Sequence, residues 1–150
     1  MHVRTAVIPA AGYGTRFLPL TKAIPKEMLP LVDRPVIQYA VDDAVAAGIE
    51  RIVLVTSEGK EAIEAYFRVL PQVEETLARR QSPKLAEVQR VSRMVTLETV
   101  IQEEALGLGH AVLTAKALVG DETFAVFLPD DVIETLGAPL AGDYLVGHGV

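Results

Sequence analysis

Residues 3–9, VRTAVIP, form a short and nearly unbroken apolar run, and runs of this kind constrain the fold more than any other feature of the chain. A strand with one face in water alternates apolar with polar residues. A strand covered on both faces does not, and such strands belong to parallel sheets packed between helices. The pattern recurs at Arg51–Thr56 (RIVLVT), at residues 95–101 and at residues 124–128, which end in Pro129-Asp130-Asp131. Helical spacing fills the intervals. Val36, Ile37, Ala40, Val41, Ala44 and Val45 share one stripe, with Asp33 as the expected N-cap, Pro35 in the first turn and Gly48 as the stop. Residues 61–70 form a second amphipathic helix with Ile63, Phe67 and Leu70 inward. Residues 72–91 read as a charged, exposed helical excursion broken at Ser82-Pro83, and residues 110–119 as a further helix. Strands that alternate with helices predict an α/β fold, a Rossmann-like, doubly wound, mostly parallel sheet flanked by helices. Its crossovers are right-handed, and its ligand crevice lies at the carboxyl ends of the strands.

The 150 residues suffice for one core and not for two ordinary domains. No apolar run approaches the roughly 18 residues of a membrane span and the N-terminus lacks the layout of a signal peptide, so a cytoplasmic protein without membrane partners is expected. Cysteine is absent, which removes disulfides and thiolate metal sites. The net charge of −6 argues against nucleic-acid binding, but it is unevenly spread. Residues 1–34 hold Arg4, Arg16, Lys22, Lys26 and Arg34 against only Glu27 and Asp33, a basic island in an acidic chain that can draw in a small polyanion.

That island centres on IPAAGYGTRFLPLTKAIPKEMLPL, residues 8–31, a stretch too rich in glycine and proline for a helix. It leaves the carboxyl end of the first strand. Residues 102–109 and Asp130-Asp131 leave the ends of the third and fourth, so all three segments should open on one edge. Gly12 and Gly14 let backbone N–H groups approach phosphate oxygens, Arg16 and Lys26 add charged donors, and a carboxylate on the opposite rim can hold Mg²⁺. Taken singly each has a plainer reading. The glycines make a turn, the cations are solvated, Asp130-Asp131 caps a following segment, Gln102 is a loop residue, Gly107 and Gly109 precede a helix and His110 begins it. Convergence on one edge is what favours a site.

The string AAGYGTRFLPLTKAIPKEMLP (residues 10–30), followed by GLGHAV and LPDD in the same order, closely resembles the signature of the bacterial glucose-1-phosphate uridylyltransferases, within the sugar nucleotidyltransferase superfamily. The form G-x-G-T-R followed by P-K is shared across the superfamily, and TKAIPKEMLPLVDRPVIQY is specific to the uridylyl branch. The likeness covers roughly residues 3–134. It implies that residues 1–134 are the nucleotide-binding half of a sugar nucleotidyltransferase domain, with 135–150 unassigned. It implies transfer of a uridylyl group from UTP to glucose 1-phosphate, giving UDP-glucose and pyrophosphate. Ala11 and Gly12 would lie against uracil and ribose, and Gly14 and Thr15 against the phosphates. Arg16 would clamp the leaving pyrophosphate, and Lys26 would reach the phosphates being exchanged. Gln102 would read uracil with Gly107 close to the base, Asp130 would ligate Mg²⁺, and Glu27 would make a further nucleotide contact. Whether UTP or dTTP is preferred, and whether the chain is a homo-oligomer, is left open.

The sequence also departs from that family. Its members are about twice as long, and their second half carries an E-K-P segment for the sugar phosphate and a second metal-binding aspartate, neither of which occurs here. An excised, truncated or degenerate half-enzyme with little turnover of its own is therefore expected, and a non-catalytic nucleotide-binding fragment or regulatory paralogue is the alternative reading. A dinucleotide-binding oxidoreductase fits worse, since the loop lacks a third glycine and Val55-Thr56-Ser57 offers no acid for a ribose.

Overall fold

The computed structural model describes residues 3–132 and the backbone of residues 146–147. Among the described residues, five strands form one sheet. β1 (Thr5–Pro9) pairs in parallel with β4 (Arg51–Thr56) and with β6 (Phe124–Val126), and β4 pairs in parallel with β5 (Thr96–Ile101). β7 (Val146–Gly147), which lies in the segment left unassigned from the sequence, adds an antiparallel strand beside β6. The rest of that segment lies outside the described residues. The order β5-β4-β1-β6-β7 has one consequence for function. The chain first builds outward from β1 through β4 to β5, then returns to place β6 on the other side of β1. The switch between β1 and β6 is where an open α/β sheet leaves a crevice.

The apolar runs fill both layers as their pattern requires. Ala6, Ile8, Ile52 and Leu54 pack with Ile37, Val41 and Ala44 of α1 (Val36–Ala46) and with Ile63 and Phe67 of α2 (Glu61–Phe67). Their neighbours Val7, Val53 and Val55 face the other way, onto Ala111 of α5 (Leu108–Thr114), Ala115, and Val119 of α6 (Lys116–Val119). Each fully buried Ile, Leu or Val contributes about 1.5–3 kcal/mol. α3 (Pro71–Arg79) and α4 (Lys84–Arg93) form the expected exposed pair, separated at Ser82-Pro83.

Three local expectations are corrected. Asp33 does not cap α1: residues 30–35 form a small antiparallel hairpin of β2 (Pro30–Leu31) and β3 (Arg34–Pro35), turned at Val32 (φ 63) and Asp33. Asp33 instead pairs with Arg34 at 2.9 Å, and Pro35 precedes α1 in an extended conformation. α2 stops at Phe67 and leaves Leu70 exposed, because the residue before a proline is driven out of the helical region and Pro71 opens α3. The helix expected over residues 110–119 starts earlier, at Leu108, and breaks at Ala115.

Candidate functional site

The loop after β1 is irregular but tightly held. Short 3-10 turns at Thr15–Phe17, Leu20–Lys22 and Lys26–Met28 carry it back to the sheet. Gly14 sits in the left-handed region (φ 62), and an added Cβ would lie 3.1 Å from both Lys26 Cβ and Thr21 Cγ2, so conformation and space each require glycine. Its carbonyl accepts from Thr21 Oγ1 at 2.9 Å. Gly12 differs: an added Cβ would meet no protein atom within 4 Å, so packing alone does not demand glycine there.

A crevice of about 310 Å³ opens at the switch point, as the topology dictates. Its lining includes Ala11, Gly12 and Tyr13 from the first loop, Lys26 from the loop's return, Gln102, Gly107 and Leu108 from the segment after β5, and Leu128 and Asp130 after β6. Ala11, Gly12, Lys26, Gln102, Gly107 and Asp130 are thus brought together. Gly14, Thr15 and Arg16 are not in its wall. Gly14 turns against Lys26 and Thr21, and Arg16 is exposed on the following turn.

Gln102 is 6% exposed and held by the start of α5: its side-chain nitrogen lies 2.8 Å from His110 Nδ1 and donates to the Gly107 carbonyl at 3.4 Å. Its backbone N–H donates to Thr56 O at 2.7 Å, which fixes the residue just beyond the end of the sheet. His110, read from the sequence as a helix-start residue, therefore also orients Gln102. Gly107 caps α5 with φ 93, a conformation few side chains tolerate.

Across the crevice, Lys26 Nζ donates to Asp130 Oδ2 at 2.7 Å. Burial works upward on the Asp130 carboxyl, but the hydrogen bond and charge of Lys26, with help from Arg16, hold it below the usual aspartate value. No group of three or more His, Cys, Asp or Glu side chains arranged to hold a metal occurs among the described residues. Of the described residues, Asp130 is the one carboxylate in the crevice lining, and a hard cation such as Mg²⁺ takes one or two protein carboxylates and completes its shell with phosphate oxygens and water.

Glu27 is placed elsewhere than the resemblance implies. Its side chain is fully buried, and its carboxylate oxygens lie 3.0 and 3.2 Å from Lys60 Nζ, so it presents no surface to a ligand. Lys60, 8% exposed, is a residue that sequence reasoning missed. It also donates to the carbonyls of Ala10 and Gly12, each at 2.6 Å. Burial pulls its ammonium below the usual lysine range, Glu27 opposes that, and Lys26 adds to the pull. A signal existed. Lys60 follows β4 at the same sheet edge that directed attention to the loops after β1, β5 and β6, and a lysine at such an edge belongs in the same inventory.

The chain resembles known proteins over most of its length. The nucleotidyl transferase family profile matches residues 5–139. The chain is 51% identical over 133 residues to the UTP–glucose-1-phosphate uridylyltransferase of Bacillus subtilis, covering 88% of this chain and 46% of that protein. It is 52% identical over 145 residues to the enzyme of the same name from Escherichia coli, covering 95% and 48%. Among solved structures, a UTP-bound UGPase from Acinetobacter baumannii superposes with a TM-score of 0.81 at 46% identity, over 90% of this chain and 48% of that one. A UDP-glucose pyrophosphorylase complexed with UDP-glucose superposes with a TM-score of 0.78 at 44% identity, over 91% and 49%. The chain therefore spans about half the length of the curated relatives it matches.

Proposed function

Since the chain belongs to the nucleotidyl transferase family, we propose that it is the nucleotide-binding half of a UTP–glucose-1-phosphate uridylyltransferase. The observation that carries this reading is the meeting of Ala11, Gly12, Lys26, Gln102, Gly107 and Asp130 around one crevice at the β1/β6 switch. The 51% and 52% identity to enzymes of that name supports the choice of substrates.

The proposed reaction asks little covalent chemistry of the protein. Glucose 1-phosphate already carries an ionised oxygen. That oxygen attacks the α-phosphorus of UTP in line, the bond to the β-phosphate oxygen breaks, and pyrophosphate leaves, so no general base is required. The barrier lies in aligning two anions and offsetting their repulsion. Gln102, held by His110, accepts a hydrogen bond from the uracil ring N–H, while the backbone at Ala11 and Gly12 lies against the base and ribose. Lys26 leaves Asp130 for the phosphates, where it makes a charge-assisted hydrogen bond. Arg16, on the rim, takes the pyrophosphate as negative charge builds there. Asp130, freed from Lys26, is the residue that would hold Mg²⁺. When bound, the ion supplies charge neutralisation and a fixed phosphate geometry. The sugar phosphate is expected to draw on groups that the family carries in its second half.

The test is a calorimetric titration with Mg-UTP and Mg-ATP. UTP should bind more tightly, and Gln102→Ala should erase the preference while keeping phosphate affinity. Equal affinities in the unaltered chain would overturn the base-reading role, and unchanged selectivity in Gln102→Ala would remove Gln102 from it. Turnover with glucose 1-phosphate separates transfer from binding alone.

A further inference from the structure

Lys60 stands outside the motif that marks the site, yet every donor it has is spent on the loop that forms it. An ammonium carries three N–H donors. One goes to the Ala10 carbonyl, one to the Gly12 carbonyl, each at 2.6 Å, and the third to the Glu27 carboxylate at 3.0 Å. The three acceptors belong to the end of β1, the first turn of the loop and its return. Lys60 itself is anchored as the residue capping α2, whose first turn donates back to it from Ile63 N at 3.0 Å.

The planar trans peptide turns this grip into an orientation. In such a unit the C=O and the following N–H point in opposite directions. Carbonyls 10 and 12 are drawn inward onto Lys60, so the N–H groups of Ala11 and Tyr13 are turned the other way. Neither amide has an acceptor among the described residues, and both residues line the crevice. Surplus donors held at fixed angle beside a cavity are what oxygen atoms of an incoming ligand require. Glu27 extends the same control to the preceding residue: with its carboxylate locked on Lys60, Lys26 is left facing Asp130 across the crevice.

We propose that Lys60 is a positioning residue for nucleotide binding: by holding the Ala10 and Gly12 carbonyls, it aims the Ala11 and Tyr13 amides at ligand oxygens, and through Glu27 it seats Lys26. The inference rests on the nucleotide reading of the crevice given above. It differs from a purely structural role, in which the Lys60–Glu27 pair would only neutralise two buried charges.

Replacing both members separates the two. Lys60→Met alone leaves Glu27 buried without a partner and is expected to unfold easily. The Lys60→Met/Glu27→Leu variant exchanges the ion pair for apolar groups, a change that folded proteins commonly tolerate. Its denaturant midpoint establishes folding; Mg-UTP affinity by calorimetry and exchange of the Phe17, Met28 and Leu29 amides, which donate to the Gly14, Pro25 and Lys26 carbonyls, read the loop. We expect UTP to bind at least about tenfold more weakly, and the loop amides to exchange at least about tenfold faster, while β4 amides keep their protection. A folded double variant that binds within twofold of the parent would overturn the proposal. If the parent itself fails to bind Mg-UTP, the nucleotide reading falls. Amide exchange then decides the positioning role alone: faster exchange in the variant upholds the hold on the loop, and unchanged protection overturns it. A double variant that does not fold would show the pair to be required for folding and would also overturn the positioning assignment.

Discussion

The loop of residues 10–28 and the helical pair α3–α4 contrast in an instructive way. The helices are regular, yet α3 buries no residue fully and α4 only Val91. They are tied down by Arg93–Glu74 at 2.8 Å, Gln89–Glu74 at 3.0 Å and Arg90–Asp42 at 2.9 Å, polar contacts in which the arginines stay about half exposed while Glu74 is largely covered. The loop has almost no regular structure, but Glu27 beneath it is wholly buried and Lys60 reaches it from 33 residues away. Regularity of backbone therefore does not measure how strongly a segment is specified. An exposed ion pair trades hydration for a screened attraction, whereas a buried one leaves a stranded charge if either partner is lost.

The largest effect expected from this contrast is at Glu27. Glu27→Ala should cost about 3–5 kcal/mol, because it strands the Lys60 charge in the interior; urea denaturation of this variant beside the parent measures it. A cost no greater than that of a surface substitution would erase the distinction between the two regions. Next comes Leu54, buried in the sheet: Leu54→Ala should lose about 2–5 kcal/mol by cavity formation. Unlike the loop variants, it should leave Mg-UTP affinity unchanged as long as the chain is folded.

At the rim, Lys26→Met and Arg16→Ala should each weaken Mg-UTP binding at least about tenfold with little change in melting temperature, since neither side chain is fully buried: Lys26 lines the crevice and Arg16 is exposed on the following turn. A loss of stability without a loss of affinity would reverse their assignment. A finer effect concerns Asp130. Burial pushes its carboxyl up, but Lys26 and Arg16 together bring it below the ordinary aspartate value. A depressed folded-state value means that the ion pair's contribution is present above about pH 3.9, the unfolded reference, and fades as pH falls through the lower folded value. Carbon-detected titration should find the Asp130 midpoint below that of an ordinary aspartate, and Lys26→Met should move it upward. Coincident midpoints with and without Lys26 would show the contact to be absent in solution. The smallest effect belongs to the helical pair, where Arg93→Ala should leave the denaturation midpoint within experimental scatter. A shift comparable to that of Glu27→Ala would mean that α3–α4 is more than a solvated appendage.

Much of this was open to a reader of the sequence. Strands buried on both faces announce themselves because burial leaves no place for alternating polar residues, and Val7, Ile8, Val53 and Leu54 show it. The meeting of Gly12, Lys26, Gln102, Gly107 and Asp130 was legible because the parallel topology sends their loops to one edge. What lay beyond the sequence has a common cause. The hairpin at residues 30–35 is a strand pairing of two residues a side, too short to leave a periodic pattern. The end of α2 was set by competition between the apolar stripe that reaches Leu70 and the backbone restriction before Pro71. The burial of Glu27 and its partnership with Lys60 depend on which elements meet in space, and a carboxylate beside a crevice lysine reads the same in a sequence whether it faces crevice or core. Local pattern determined the strands, most of the helices and the chemistry of the loop. Only tertiary packing, which assigns each buried charge its partner, decided which of those residues face the crevice and which one holds them there.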